Sequence, residues 1–176
     1  MEAWQGLLSL IVNQFLRHFE RRGEGQSEPV LFLLDEFPRL GKVEAVKGLA
    51  TLRSKGVTIC LLVQSLAQLD YIYGRSYRQV IADNCAYKVI LNATDAETQE
   101  YFSRLVGTGE KPRITQTISY AESEDVLGYS ASETSVEKRL IKPEEFATLP
   151  LVVLLSPYGF SLVQKNPYYK ERIFRR

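Results

Sequence analysis

The sequence has 176 residues, of which 45% are apolar and 24% are charged, and its formal net charge is +1. These values are typical of a single globular domain, and they exclude an intrinsically disordered chain and a protein whose overall charge attracts nucleic acid. One histidine and two cysteines without a C-x-x-C spacing exclude the usual zinc sites, and we expect Cys60 and Cys85 to be reduced core thiols in a cytosolic protein.

The N-terminal segment has apolar residues at helical spacing. They are Trp4, Leu7, Leu8, Ile11, Val12, Phe15 and Phe19. The pattern predicts an amphipathic helix. We interpret His18, on the polar side of this helix, as a solvated surface residue rather than a catalytic one.

Two continuous apolar runs, residues 30–34 and 57–63, flank a segment with helical periodicity that ends at Gly56. Continuous hydrophobicity indicates strands buried on both faces, and this order predicts a βαβ unit with parallel strands. Residues 87–92 are a third candidate strand, and a capped helix follows it up to Gly107. The sequence therefore predicts an α/β fold, mainly a parallel sheet with flanking helices.

The last third of the chain is less regular. Residues 108–136 are rich in Thr, Ser, Glu and Gly, and we expect a mobile loop or a short exposed hairpin there. A short helix beginning at Pro143 and a C-terminal β-hairpin formed by LVVLLS and FSLVQK complete the prediction. We assign residues 1–176 to one domain.

Polar side chains follow both apolar runs, where parallel strands place ligand sites. Asp35 and Glu36 follow the first run, and Gln64 and Ser65 follow the second. Four apolar residues before Asp-Glu form a Walker B pattern, in which the aspartate holds Mg²⁺ and the glutamate polarises a water molecule for attack on the γ-phosphate. The alternative is a strand that exits into solvent, since carboxylates are favoured before a helix.

The phosphate-binding loop that such chemistry requires is absent from the sequence. A P-loop has the pattern G-x-x-x-x-G-K-[ST], whereas Gly41-Lys42 is followed by Val43 and has Glu36 in place of the first glycine. We therefore expect that this chain alone does not bind ATP in the usual manner.

Four segments carry a longer resemblance. They are VNQFLRHFERR, LFLLDEFPRLGKVEAVKGLATLRSKGVTICLLVQSLAQLDYIYG, NCAYKVILNATDAETQEYFSRLVG and RLIKPEEFATLP. In this order they strongly resemble the coupling-protein ATPases of type IV secretion and conjugation, the TraG/TraD family. The resemblance implies a partial RecA-like domain of the P-loop NTPase type. This would be the C-terminal half of the motor, without its P-loop half, as an expressed fragment or the product of a truncated gene.

The resemblance also implies site residues. Asp35 and Glu36 match the family's Walker B pair and Gln64 its motif glutamine. Arg53 falls where the family has an arginine that reaches the nucleotide of a neighbouring subunit. We expect ATP and Mg²⁺ in the complete motor and neither bound to this chain alone.

The partners implied by the resemblance are those of a hexameric motor that moves DNA or protein. They are subunits of the same family, relaxase-bound single-stranded DNA or effector proteins, and components of the type IV secretion channel. The full-length protein is expected at the cytoplasmic face of the bacterial inner membrane. No apolar stretch of this chain reaches the roughly 20 residues that span a bilayer, so we expect no membrane span in it.

Two basic groups are weaker candidates for nucleic-acid contacts. They are Arg75 and Arg78, interleaved with Tyr71, Tyr73 and Tyr77, and Lys111 with Arg113 in the segment EKPRI. An aromatic and basic surface suits single-stranded DNA. The alternatives are tyrosines that cover a helix junction and, for EKPRI, a solvated turn.

Two functions from different classes remain open, together with a weaker third. The chain is half of a DNA-dependent ATPase motor, or it is a non-catalytic module that recognises relaxosome, effector or channel proteins. A translocase of the wider FtsK/HerA-like group shares the Walker B strand but not the longer segments.

Overall fold

The structure is a computed structural model that describes residues 2–23, 28–120, 126–167 and 170. The α-helices are α1 (Glu2–Glu20), α2 (Ala45–Ser54), α3 (Leu66–Tyr73), α4 (Arg75–Asn84) and α5 (Ala96–Val106). The strands are β1 (Val30–Leu34), β2 (Val57–Leu61), β3 (Lys88–Ile90), β4 (Thr108–Tyr120), β5 (Val126–Arg139), β6 (Leu151–Ser156) and β7 (Gly159–Gln164). Short 3₁₀ helices span Phe37–Leu40 and Pro143–Ala147.

The predicted strand–helix–strand unit is present as β1, α2 and β2. The two strands are parallel and in register from Val30 opposite Val57 to Leu34 opposite Leu61. Below them lies a core whose most buried members are Phe37 and Leu52. Gly56, with φ 70°, makes the turn from α2 into β2, a left-handed conformation that glycine adopts without steric cost. The carboxyl ends of β1 and β2 therefore meet at one edge.

Parallel pairing is limited to β1 and β2 in the part of the chain that the structure describes. The third predicted strand, β3, pairs antiparallel with β6, and β6 pairs antiparallel with β7 as the C-terminal hairpin. The expectation of a mainly parallel sheet is corrected here, although the α/β class stands. An apolar run reports that a strand is buried but does not encode the direction of its neighbour.

A second core lies between β3, β6 and α5, and a buried contact joins it to the first. It contains Phe146 and Val153, both almost completely buried. The backbone amide of Leu66 at the start of α3 donates a hydrogen bond to Oγ1 of Thr98 in α5, at 3.1 Å. This contact ties the helix after β2 to the second core.

Helix α1 packs on the first core with only part of its predicted apolar face. Leu16 is buried, and Val12 and Phe19 pack beside it. The other apolar residues of the pattern, which are Trp4, Leu7, Leu8, Ile11 and Phe15, are exposed. The predicted helix is therefore present, and only one side of its apolar face contacts the core. His18 is exposed, as predicted.

One face of the β1–β2 pair has no covering layer among the described residues. Leu31 and Leu33 are 63% and 62% exposed, although the residues that alternate with them pack on the first core. The register puts Leu33 opposite Cys60, which is also exposed. The expectation that Cys60 is a core thiol is therefore corrected, because this strand is covered on one side only. Cys85 is half-buried, and burial raises the pKa of its thiol.

Strands β4 and β5 pair with each other as an antiparallel ribbon within residues 108–139. This segment was expected as a mobile loop or an exposed hairpin, and the paired strands are the outcome for its described residues. Thirteen residues in β4 correspond to a length of about 40 Å at the usual rise of a strand. No described helix is long and apolar enough to span a bilayer.

The candidate site at the carboxyl edge of β1 and β2

The acid pair lies at the edge where β1 ends. Asp35 is exposed, and its Oδ1 accepts a hydrogen bond from the backbone amide of Glu36 at 2.9 Å. The amide of Phe37 donates to the carbonyl of Leu62 at 3.0 Å, which attaches this turn to the end of β2. The two carboxylates are thus held at the edge of the sheet and remain open to solvent.

Glu36 has a left-handed backbone, with φ 46° and ψ 43°. Among the described residues it is the one non-glycine residue with a positive φ. Such a conformation costs a residue with a Cβ atom free energy and persists where the surroundings impose it, which is common at functional sites. The side chain of Glu36 is directed towards β2 as a result of this turn.

Gln64 meets Glu36 across the two strands. Its Nε2 donates to Oε1 of Glu36 at 3.4 Å, and its own Oε1 accepts from Nε2 of Gln68 at 3.2 Å. Oε2 of Glu36 is 3.0 Å from a guanidinium nitrogen of Arg39. A carboxylate, an amide and a cation therefore form one connected and largely exposed polar chain.

The base of this site is formed by an aromatic stack and two hydrogen bonds of Tyr73. The ring of Tyr73 stacks on buried Phe37 at 5.4 Å between centroids. The Tyr73 hydroxyl donates to the carbonyl of Gly41 at 2.9 Å and accepts from the amide of Val43 at 3.1 Å, and burial raises its pKa. These contacts fix the segment after the acid pair against α3, whose N-cap is Ser65.

The carboxylates suit a magnesium ion that has other oxygen ligands. Oδ2 of Asp35 and the exposed carboxylate of Glu36 are hard oxygen donors. In the described part of the chain no group of three or more His, Cys, Asp or Glu residues could hold a metal by itself. Magnesium usually keeps several water molecules and binds substrate phosphates, so a single aspartate at this edge fits it.

Arg53 lies at the opposite end of the β1–β2 pair from the acid pair. It is exposed in the last turn of α2, and the amide of Val30, at the start of β1, donates to Gly56 just after that helix. The length of β1 is about 16 Å, so the guanidinium of Arg53 does not reach Glu36 of the same chain. Arg53 is therefore not part of the polar group formed by Asp35, Glu36 and Gln64.

The structure separates the two arginines predicted near the tyrosines. Arg75 is exposed, whereas the side chain of Arg78 is 11% exposed and lies 2.8 Å from Asp70 and 3.4 Å from Glu97. The guanidinium of Arg78 also lies over the Tyr101 ring. Arg78 is therefore an internal clamp between α3, α4 and α5, and its assignment to a nucleic-acid surface is corrected because its charge is enclosed and paired.

The three tyrosines near these arginines also differ in exposure. Tyr71 and Tyr77 are exposed, and Tyr73 packs beneath the site. For Tyr73 the alternative of a residue that covers a helix junction is the one observed. Lys111 is exposed on β4, and the backbone of Arg113 lies on the same strand while its side chain is outside the description.

Sequence reasoning missed two residues of the site. Arg39 is three residues after Glu36, and Gln68 is four residues after Gln64. Glu36 and Gln64 each lie just before a helix, and Arg39 and Gln68 lie in the first turn of that helix. That spacing was a usable signal.

Comparison with known proteins decides the family. Residues 29–151 match the family model described as the TraM recognition site of TraD and TraG. The chain belongs to this family.

VirD4 of Agrobacterium fabrum (strain C58 / ATCC 33970) is 29% identical over 183 residues, which cover 100% of this chain and 27% of VirD4. A conjugal transfer protein TraG of Escherichia coli is 31% identical over 163 residues, covering 82% of this chain and 26% of that protein. The chain spans about a quarter of the length of these curated relatives.

Solved structures of a coupling protein share the fold of this TraD/TraG family member. The unbound form of the conjugative coupling protein TrwBΔN70 superposes with a TM-score of 0.75 at 22% identity, over 93% of this chain and 38% of the other. TrwB in complex with ADP and Mg²⁺ gives 0.72 at 21% identity, over 99% and 40%. The predicted resemblance to type IV coupling proteins and the partial RecA-like fold are confirmed. The chain thus corresponds to the region of TraD and TraG that this family model describes.

Proposed function

We propose that this chain supplies the Walker B edge of an ATP-driven coupling-protein motor. The observation that carries the proposal is the contact of Gln64 with Glu36 across two parallel strands, beside Asp35. Three side chains of the types that nucleotide hydrolysis requires are together and exposed at the carboxyl edge of a sheet. In the complete motor, ATP would supply the phosphoryl group that is transferred, and Mg²⁺ would supply the positive charge that positions it.

Each residue has a distinct role in this proposal. Asp35 holds the magnesium ion directly or through water, and Glu36 accepts the proton of the attacking water molecule. Gln64 orients Glu36 and responds to the γ-phosphate. Arg39 is the counter-ion of Glu36 while no nucleotide is present, and Arg53 acts on the nucleotide of a neighbouring subunit in a hexamer.

The motor is complete only with a segment that carries a P-loop. The sequence has no G-x-x-x-x-G-K-[ST]. In the described residues β2 pairs with β1 alone, and the face with Leu31, Leu33 and Cys60 is uncovered. Strands with apolar residues on both faces normally lie inside a layered α/β domain, so the free edge of β2 and this face suit an additional strand and helix.

The cargo proposed for the motor is relaxase-bound single-stranded DNA or an effector protein, delivered to type IV secretion channel components. The proposed location is the cytoplasmic face of the bacterial inner membrane. Support comes from the conjugal transfer proteins that the chain resembles and from the TrwB fold.

A second candidate function is a non-catalytic interaction module that recognises relaxosome, effector or channel proteins. It is favoured by the description of the matched family model, which names a recognition site, and by the missing P-loop. The two candidates differ in whether Glu36 is needed for ATP turnover.

The decisive experiment replaces the matching segment of TrwB with this chain and measures ATP hydrolysis and nucleotide binding of the chimera. Under the motor proposal, Glu36→Gln lowers turnover by about 10²–10⁴-fold, the range for loss of a general base, and leaves nucleotide binding intact. Asp35→Asn weakens the magnesium dependence of binding.

The matched control is Glu144→Gln, an exposed glutamate paired with Lys142 at 3.8 Å and distant in the fold from the acid pair. It should hydrolyse ATP at the unmodified rate. A folded chimera in which Glu36→Gln and Glu144→Gln are equally active would exclude the motor role and leave the interaction module. Hydrolysis by the isolated chain would show that the additional segment is not required.

A further inference from the structure

The β4–β5 ribbon has two faces that differ in charge. Its register runs from Thr108 opposite Arg139 to Ile118 opposite Tyr129 without interruption. In an antiparallel pair, opposite residues lie on the same face and successive residues alternate between faces. The composition of each face can therefore be taken from the register alone.

One face, called here the acidic face, contains glutamates and the contacts to the rest of the domain. Its members include Thr108, Glu110, Glu133, Ser135, Glu137 and Arg139. Oε2 of Glu110 accepts from Ser135 at 3.1 Å, and Glu137 accepts from Thr108. Arg139 lies 2.8 Å from Glu100 of α5. The first two contacts join β4 to β5, and the contact of Arg139 attaches the base of the ribbon to α5.

The opposite face, called here the basic face, contains cations and hydroxyl residues. Its members include Lys111, Arg113, Thr115, Ser132, Thr134 and Lys138. Lys111 and Lys138 are diagonal neighbours, since the partners of Lys111 and Lys138 are Val136 and Gly109. Both lysines are exposed, and within the described residues neither forms an ion pair. The paired residues between 109 and 119 place no acid on this face.

The geometry points to the basic face as a binding site for the phosphodiester backbone of nucleic acid. Side chains such as Lys, Ser and Thr make many of the protein contacts to phosphate oxygens, and here they share one face of a two-stranded ribbon. Protein partners are usually held by buried aromatic or aliphatic anchors, and Val136 is the largest apolar residue described on this face. An acidic protein is therefore the less favoured occupant.

The contact is expected to be independent of base sequence. The described basic face carries no aromatic ring on which a base stacks, so affinity comes from the release of counterions. The identification of nucleic acid as the cargo rests on the proposed function. The difference in charge between the two faces of the ribbon is independent of the proposed function. A motor that moves along a strand needs contacts of this kind, because they are equivalent at every nucleotide.

The test measures binding of the whole chain to a fluorescein-labelled oligo(dT) by anisotropy between about 50 and 200 mM KCl. Three cations correspond to a slope of log K against log salt of about −2, so affinity falls about 20-fold over this range. In the double variant Lys111→Gln/Lys138→Gln the slope decreases in magnitude by about 1.4 (two cations at 0.7 each), and the fall becomes about 3-fold. The control Lys42→Gln/Lys142→Gln removes the same charge elsewhere and should keep the original slope.

Several outcomes would contradict the proposed binding site. Equal slopes in the two double variants, or no binding of oligo(dT) by the unmodified chain, would exclude it. Competition by polyglutamate as effective as that by oligo(dT) would assign the face to an acidic protein instead. A duplex of the same length distinguishes single-stranded from double-stranded backbone, both of which support the site. Because no nucleotide or turnover is involved, failure here leaves the Glu36 experiment unaffected.

Discussion

Glu36 should reduce the stability of the fold because of its backbone conformation. A left-handed residue with a Cβ atom costs about 1–2 kcal/mol, and glycine avoids this cost but loses about 0.5–1 kcal/mol of conformational entropy. The ion pair with Arg39 at 3.0 Å joins side chains that are 43% and 62% exposed, so solvent limits it to about 0–1 kcal/mol. The free-energy cost of the left-handed backbone is therefore the contribution that a suitable pair of variants can measure separately.

The comparison of Glu36→Gly with Glu36→Gln isolates this term, because both lose the charge and only the glycine relieves the backbone. We expect Glu36→Gly to be more stable than Glu36→Gln by about 0.5–1 kcal/mol, which raises Tm by about 1–4 °C in a domain of this size. Urea and thermal denaturation followed by far-UV circular dichroism measure the difference.

Glu44 provides the matched control for this prediction. It is a glutamate that also pairs with an arginine, Arg17, at 3.0 Å, but its φ is −72°. Glu44→Gly should be less stable than Glu44→Gln, which is the opposite order. If Glu36→Gly is no more stable than Glu36→Gln, the left-handed backbone does not store free energy, and the stated link between strain and function is refuted.

Two further predictions concern stability and thiol chemistry. Arg78→Met should destabilise the fold by about 3 kcal/mol in urea denaturation because it leaves Asp70 enclosed without its cation, whereas Arg75→Met should change stability by less than about 0.5 kcal/mol. Equal effects would contradict the clamp. A disulfide reagent should modify exposed Cys60 rapidly and Cys85 slowly. Since burial raises the pKa of Cys85, its reaction should accelerate at a higher pH than that of an ordinary free thiol, and Cys60→Ser should abolish the fast phase.

The local elements could be predicted from the sequence because their signals are local. The periodicity between residues 43 and 56 and the two apolar runs around it predicted β1, α2 and β2, and the acid pair and Gln64 followed from where those runs end. The parallel register then brings Gln64 to Glu36, as the proximity of carboxyl ends predicts. The direction of β3 was missed because its apolar run was taken to be buried on both faces, as in a parallel sheet, whereas Val89 and Leu91 are exposed and β3 pairs antiparallel with β6.

Burial and pairing of individual charges were decided by the tertiary structure. Arg75 and Arg78 have similar surroundings in the sequence, yet one is exposed and the other is enclosed by α3, α4 and α5. The apolar residues on the far side of α1 and on one face of β1 are exposed for the same reason, since amphipathic patterns report apolarity and not the presence of a covering layer. The sequence by itself determined which residues form the strands and where their polar ends lie. Only the tertiary structure decided which side chains meet and which faces stay open, because both depend on neighbours that are distant along the chain.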